Sequence, residues 1–221
     1  MYRTLMAIFA LALASALTSC ASPKGKPELA EDTLTYDGLA KVNNPAAGVA
    51  WMRPDFSLAG YTKVMPRGAG IEYRPIERSA SNRQFPLTDK QKARLRQIVG
   101  DAFKAELAKS QKFQLVTEPG PDVLTVWGGL IDVVSFVPPD RLGNSDIYLR
   151  NVGEATLVLE LRDSESNTPL VRVLDRRAAG QSGPAIRESN SVTNWSEVQR
   201  IARIWATALR TRLDEAAVWA Q

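Results

Sequence analysis

Ala155-Thr156-Leu157-Val158-Leu159-Glu160-Leu161-Arg162 places a leucine at every second position across its middle. A β-strand turns successive side chains to opposite faces. Leu157, Leu159 and Leu161 therefore fall on one side, and Val158, Glu160 and Arg162 on the other. The leucine side is core. Residues 163–169 supply Asp, Ser, Asn and Pro, the chemistry of a turn, and Leu170 to Arg177 returns as a second strand. The pair reads as an antiparallel hairpin, and the remaining elements are placed around the sheet it begins.

Upstream, Asp122 to Phe136 reads as a long strand, entered through the turn Glu118-Pro119-Gly120-Pro121. Gly128-Gly129 in its middle predicts a bulge or bend. A phosphate-binding loop would need a Lys-Ser/Thr ending and a following helix, and this stretch has neither. Phe113 to Val116 is a shorter strand. Before it, Thr88 with Gln91 three residues on forms a capping box. Leu95, Ile98, Val99, Ala102, Phe103 and Leu107 then follow at the i, i+3, i+4 spacing of one helical stripe. The helix is expected over 88–109. Basic residues recur on it and just beyond, from Lys90 to Lys112; they read as a solvated face, with lipid head groups or lipopolysaccharide phosphates as the sharper alternative.

At the other end, Asn194 with Glu197 repeats the capping-box pattern. Trp195, Val198, Ile201, Ala202, Trp205, Leu209 and Leu213 make a second stripe, running to about residue 217. Such a stripe is the core face of a helix lying on a sheet. The expected fold class is α+β: a two-layer sandwich with a mostly antiparallel sheet and two long amphipathic helices packed on one face. Up to about residue 85 the chain is punctuated by Pro and Gly and reads as irregular, apart from a first strand over 60–65 and a short second one over 71–76 stopped by Pro75.

The N-terminus carries a different kind of signal. Arg3 precedes an apolar run from Leu5 to Leu17, too short to span a bilayer. Leu17-Thr18-Ser19-Cys20 then ends it with the single cysteine of the 221 residues. This matches the bacterial lipobox, in which cleavage before the cysteine leaves a new N-terminus acylated on sulfur and nitrogen. The expected organisation is a lipoprotein signal peptide over 1–19, a flexible tether over 20–34 from lipidated Cys20, and one α+β domain over 35–221. Acyl chains on Cys20 would join the protein to the membrane. Ala21, where an Asp would favour inner-membrane retention, points to the periplasm-facing leaflet of the outer membrane. With its thiol acylated, the chain has no internal disulfide to rely on.

Histidine is absent. That removes the commonest general base and metal ligand, so Ser-His-Asp or Cys-His nucleophile systems and ordinary zinc sites are excluded. No cofactor or metal is expected, and neither charge (+4) nor any motif points to nucleic acid. Three function classes remain. The leading one is a lipid-anchored binding or assembly module acting on an envelope protein partner, with Trp51, Arg53 and Tyr61 as a candidate contact surface, since Trp, Tyr and Arg dominate interfaces. The competing reading of these three is that they plug the sheet edge. The second class is a carboxylate-dependent hydrolase of cell-wall glycan, for which Asp132, Glu160 and Asp163 are the candidates; strand acids near Arg162 and Arg172 also read as ion pairs. The third is a carrier of an apolar molecule in a gap between helices and sheet.

Several segments carry a family resemblance: Tyr36-Asp37-Gly38-Leu39, Arg53-Pro54-Asp55 leading to Tyr61, Pro119-Gly120-Pro121-Asp122-Val123-Leu124, Leu159-Glu160-Leu161-Arg162-Asp163-Ser164 and the closing Trp205-Ala206 helix, after the lipobox at Cys20. In this order and spacing the chain resembles the bacterial lipoproteins of the domain-of-unknown-function family 3313. The resemblance implies an envelope lipoprotein and brings no mechanism with it.

Overall fold

Alternation in the 155–177 hairpin extends in both directions in the computed structural model, which describes residues 27–43, 45, 48–76, 84–138, 148–149, 151–180, 187–188 and 191–219. The stretch expected to be a signal peptide, Cys20 and the start of the expected tether lie outside the described residues, as does most of the polar stretch after Pro138. From the N-terminus the elements are β1 (Leu29–Leu34), β2 (Ala40–Val42), β3 (Val49–Met52), β4 (Lys63–Tyr73) and α1 (Asp89–Leu107). There follow β5 (Gln114–Leu115), β6 (Val123–Ser135), β7 (Tyr148–Leu149), β8 (Asn151–Asp163), β9 (Pro169–Gly180), β10 (Arg187–Glu188) and α2 (Ser191–Trp219).

Eight strands form one sheet in the order β1-β2-β3-β9-β8-β6-β4-β5, and β10 pairs with β7 apart from it. Pairing is antiparallel except at β4, which runs parallel to both β5 and β6. The fold is therefore α+β with one mostly antiparallel sheet and two helices. The leucines of β8 are buried as their spacing requires, and they join Val64, Leu124, Val126 and Leu130 with Leu95, Phe103, Leu107, Ile201, Trp205 and Leu213 of the helices in one core. A smaller cluster of Val42, Ala50 and Met52 extends the apolar side under the N-terminal strands.

The two helices lie side by side and run in the same direction. Arg94 of α1 stacks over the Trp195 ring near the start of α2, with 4.7 Å to the ring centroid. Further along, Ser110 Oγ donates to Asp214 Oδ1 at 2.5 Å, and Arg210 Nε stands 3.6 Å from Glu106 Oε2. The box at the start of α1 forms as its spacing predicts: Gln91 N–H donates to the Thr88 hydroxyl while the Gln91 side chain accepts from Thr88 N–H.

Four local expectations are corrected. Three short strands, β1 to β3, interrupt the segment expected to be irregular, and β1 begins inside the stretch expected to be tether; short strands of this kind gain order only by pairing, which no local pattern announces. The two strands expected over 60–65 and 71–76 are one, β4. Thr62 and Val64 turn their carbonyls to β5, so Pro66 faces the same edge after β5 has ended, where a missing N–H is tolerated. The bulge expected at Gly128-Gly129 sits across from it, at Ala69 between the pairs Gly68↔Gly128 and Gly70↔Gly129. A Cβ on Gly129 would stand 3.2 Å from Ala69 Cβ and from Gly70 O, so the glycine admits the bulge of its neighbour. The bulge of β6 itself lies between Ile131 and Val134, where Asp132 takes a φ of 57°. Finally, α2 starts at Ser191, which places Asn194 inside the helix rather than at its cap.

Candidate functional site

Between the first halves of the two helices and the sheet the packing opens into a cleft of about 430 Å3. Leu95 and Val99 of α1 and Trp195, Val198, Ile201 and Trp205 of α2 form one wall; Leu130, Val133 and Val134 of β6 with Val152, Ala155 and Ala179 form the other. These side chains are brought there by the same periodicities that build the core. The helical stripes at i, i+3, i+4 and the inward residues of β6, β8 and β9 meet here, with Gly153, Ala155 and Ala179 among the small residues of the lining.

The polar residues of the lining are few: Gln91, Ser135, Glu154, Arg177 and Asn194. Glu154 Oε1 accepts from Arg74 Nη2 at 3.2 Å and from Arg176 Nη2 at 2.5 Å. Arg177 Nε donates to Asp175 Oδ2 at 2.7 Å, and the same oxygen accepts the Trp205 indole N–H at 2.8 Å. Asp175 is only 8% exposed. It sits two residues from Arg177 on β9 and so shares its face, under α2.

The three acids considered for hydrolysis are not brought together as a pair. Asp132 is clasped by Arg74, with Arg176 Nη1 at 3.3 Å. The Arg74 bond is the main cause holding its carboxyl below the ordinary value, against a smaller opposing effect of burial. Glu160 accepts from Arg162 Nε at 2.7 Å and from Arg172 Nε at 2.5 Å. Asp163 accepts from Tyr61, from Ser166 and from Glu165 N–H. Burial pushes its carboxyl up most strongly, yet these hydrogen bonds together hold it low. Among the described residues no group of His, Cys, Asp and Glu is placed to hold a metal ion.

Of the candidate contact surface, Arg53 stays near Trp51, since Asp37 accepts from both Arg53 and Arg172, the cross-strand partner of Trp51. Arg53 donates from Nε to Pro169 O at 3.1 Å and from Nη2 to Asp37 O at 3.0 Å, tying the loop before β2 to the start of β9. Tyr61 donates its hydroxyl to Asp163 Oδ2 at 2.9 Å. Burial, and then that carboxylate, push the Tyr61 phenol up to about 12. Trp51 stands on the sheet face opposite Ala50 and Met52, in a cross-strand row with Lys41, Arg172, Glu160, Trp127 and Arg67. Cys20 lies outside the described residues. Sequence reasoning missed Asp175 and Arg177 as a unit; their alternation on β9 was visible, but the indole that completes them was not assigned to them.

A family model described as "Protein of unknown function (DUF3313)" matches residues 27–209. No curated protein sequence matches. Among solved structures the chain is similar to protein XCC0632 from Xanthomonas campestris, of the family DUF330. The two are 12% identical, the likeness covers 76% of this chain and 91% of that one, and the TM-score is 0.47. It is also similar to the PelC dodecamer from Paraburkholderia phytofirmans (10% identical, 76% and 98% covered, TM-score 0.36). A third likeness is to the hypothetical protein CT253 from Chlamydia trachomatis (13% identical, 72% and 99% covered, TM-score 0.35).

Proposed function

Matched from residue 27 to 209, the chain belongs to the DUF3313 family, and from that starting point we propose that it is a non-catalytic binding protein of the bacterial cell envelope that takes up an apolar ligand. The lipobox supports an anchor of acyl chains on Cys20, and Ala21 supports the periplasm-facing leaflet of the outer membrane. In this reading the helices cover one face of the sheet as a two-layer sandwich, and the ligand enters where that cover is incomplete.

The observation that carries the reading is the cleft. Its volume of about 430 Å3 falls in the usual range of small-molecule sites, about 300–1,000 Å3, whereas packed interiors have few voids larger than a water molecule. Hydrolysis is the weaker reading. A glycosidic general acid needs a carboxyl kept protonated near neutral pH, and both Asp132 and Asp163 are pushed the other way. A protein-contact role keeps one specific support, the row through Trp51 and Trp127 on the opposite face.

Native mass spectrometry of the full-length acylated protein after mild detergent extraction separates the readings. A retained small apolar molecule is expected. Val198→Trp, which fills the cleft, is expected to lower binding of a fatty alcohol by about tenfold or more with an unchanged far-ultraviolet circular dichroism spectrum. A wild-type protein that carries no adduct and binds no added fatty alcohol would overturn ligand binding. A discrete complex lost in Trp51→Ala would move protein contact to the front.

A further inference from the structure

Resting on the cleft as a binding site, the geometry points to the class of ligand: an amphiphile with one aliphatic tail and an anionic head, carboxylate or phosphate, with Arg177 as the head-group contact. The walls supply the tail's environment, since Leu, Val, Ile and Trp side chains offer dispersion contacts and nothing to hydrogen-bond a chain of methylenes. They do not account for a guanidinium among them.

A buried carboxylate is costly unless it is paired, and Asp175 is paired by Arg177, whose own side chain stays 34% exposed. Here the pair is also fixed in position. Asp175 is buried under α2 and holds two side chains of the cleft wall through a single oxygen, the Trp205 indole at 2.8 Å and the Arg177 guanidinium at 2.7 Å. The bond to Asp175 uses Nε. A guanidinium presents five donors in a rigid fork that matches a carboxylate or phosphate edge, so engagement of Nε still leaves the Nη edge to define the chemistry of the cleft. Asp175 is then the positioning residue, and Arg177 the group that touches the ligand.

The other charge on the lining does not oppose this. Glu154 is bridged by Arg74 and Arg176, which also share Asp132, so the two acids are balanced by the two arginines. Gln91, Ser135 and Asn194 add neutral polar groups at the same cavity. An anionic head beside Arg177 therefore meets a cation whose Nε is taken by Asp175 and an acid, Glu154, that is already paired. A neutral head would meet the same walls without using the fork.

The test compares dodecanoate, dodecyl phosphate and dodecanol below their micellar concentrations, by calorimetric titration of the full-length protein. The wild type is expected to bind at least one of the anions about tenfold or more tighter than the alcohol, and the stronger of the two identifies the head group. Raising the ionic strength is expected to weaken the anion and leave the alcohol unchanged. Arg177→Gln, which keeps a donor for Asp175, is expected to bring the anion down to the affinity of the alcohol, and Arg177→Lys to restore part of the difference. Asp175→Asn is expected to shrink the preference for the anion over dodecanol. Equal affinity for anions and alcohol in the wild type, or a preference that survives Arg177→Gln, would overturn the assignment of Arg177. Failure of all three probes to bind would overturn the cleft reading itself. If Arg177→Gln does not fold, Arg177→Lys decides: a reduced preference for the anion is expected, and a preference equal to that of the wild type would overturn the assignment.

Discussion

A carboxylate shut beneath a helix has to be answered by donors, and Asp175 is answered by the indole of Trp205 and the guanidinium of Arg177. Removing one answer leaves a buried acceptor short of a partner, which costs about 1–3 kcal/mol. Trp205→Phe is therefore expected to lower the unfolding free energy by about that much, read from urea midpoints at constant slope, and to cost more than Trp195→Phe, whose ring is only half-buried. The stripe through Trp205 could be read from spacing alone, because helical periodicity marks every position on the buried side. Asp175 could not. An acid on the inward side of a strand looks like any other strand acid until its partner, 30 residues further on, is folded over it.

The same contrast between near and distant partners runs through the elements. Both halves of the box that starts α1 lie within three residues of each other, so the pattern was complete on the page, and Thr88→Ala is expected to cost about 1 kcal/mol in thermal or urea unfolding. The β8–β9 hairpin was equally legible: its strands alternate and its turn is short. What escaped was set at a distance. Strands β1 to β3 have three to six residues each, too few for a period to declare itself. Strand β4 contains Pro66, Gly68 and Gly70, which read as breaks and prove to be an open edge and a bulge. The cleft left no trace in either helix, since each stripe is what a fully packed helix would also carry.

Across the whole molecule the charged groups pull in one direction. Asp37, Asp122, Asp132, Asp163 and Glu106 are all held below their ordinary values; for Asp132 and Glu106 the leading cause is a hydrogen bond from a basic side chain, Arg74 and Lys109. A depressed carboxyl stabilises the fold above its unfolded value, and that stability is lost as the pH falls through the folded one. The urea midpoint is thus expected to fall as the pH drops below 4.5 and then 3.8, the ordinary values for Glu and Asp. With no histidine in the chain, it is expected to stay level across neutral pH. A midpoint that moved between pH 6 and 7 would contradict this. The strand order carries a consequence of its own for the route to this state. β3 takes its place beside β9, from Val49↔Leu174 to Met52↔Val171, so most of the chain must be synthesised before β1, β2 and β3, which pair with one another, can join the rest of the sheet. The hairpin closes over a short loop and forms early, while the N-terminal strands, which need the longest closure, dock last. A nascent chain is thus kept from locking into its final sheet until β9 has been made.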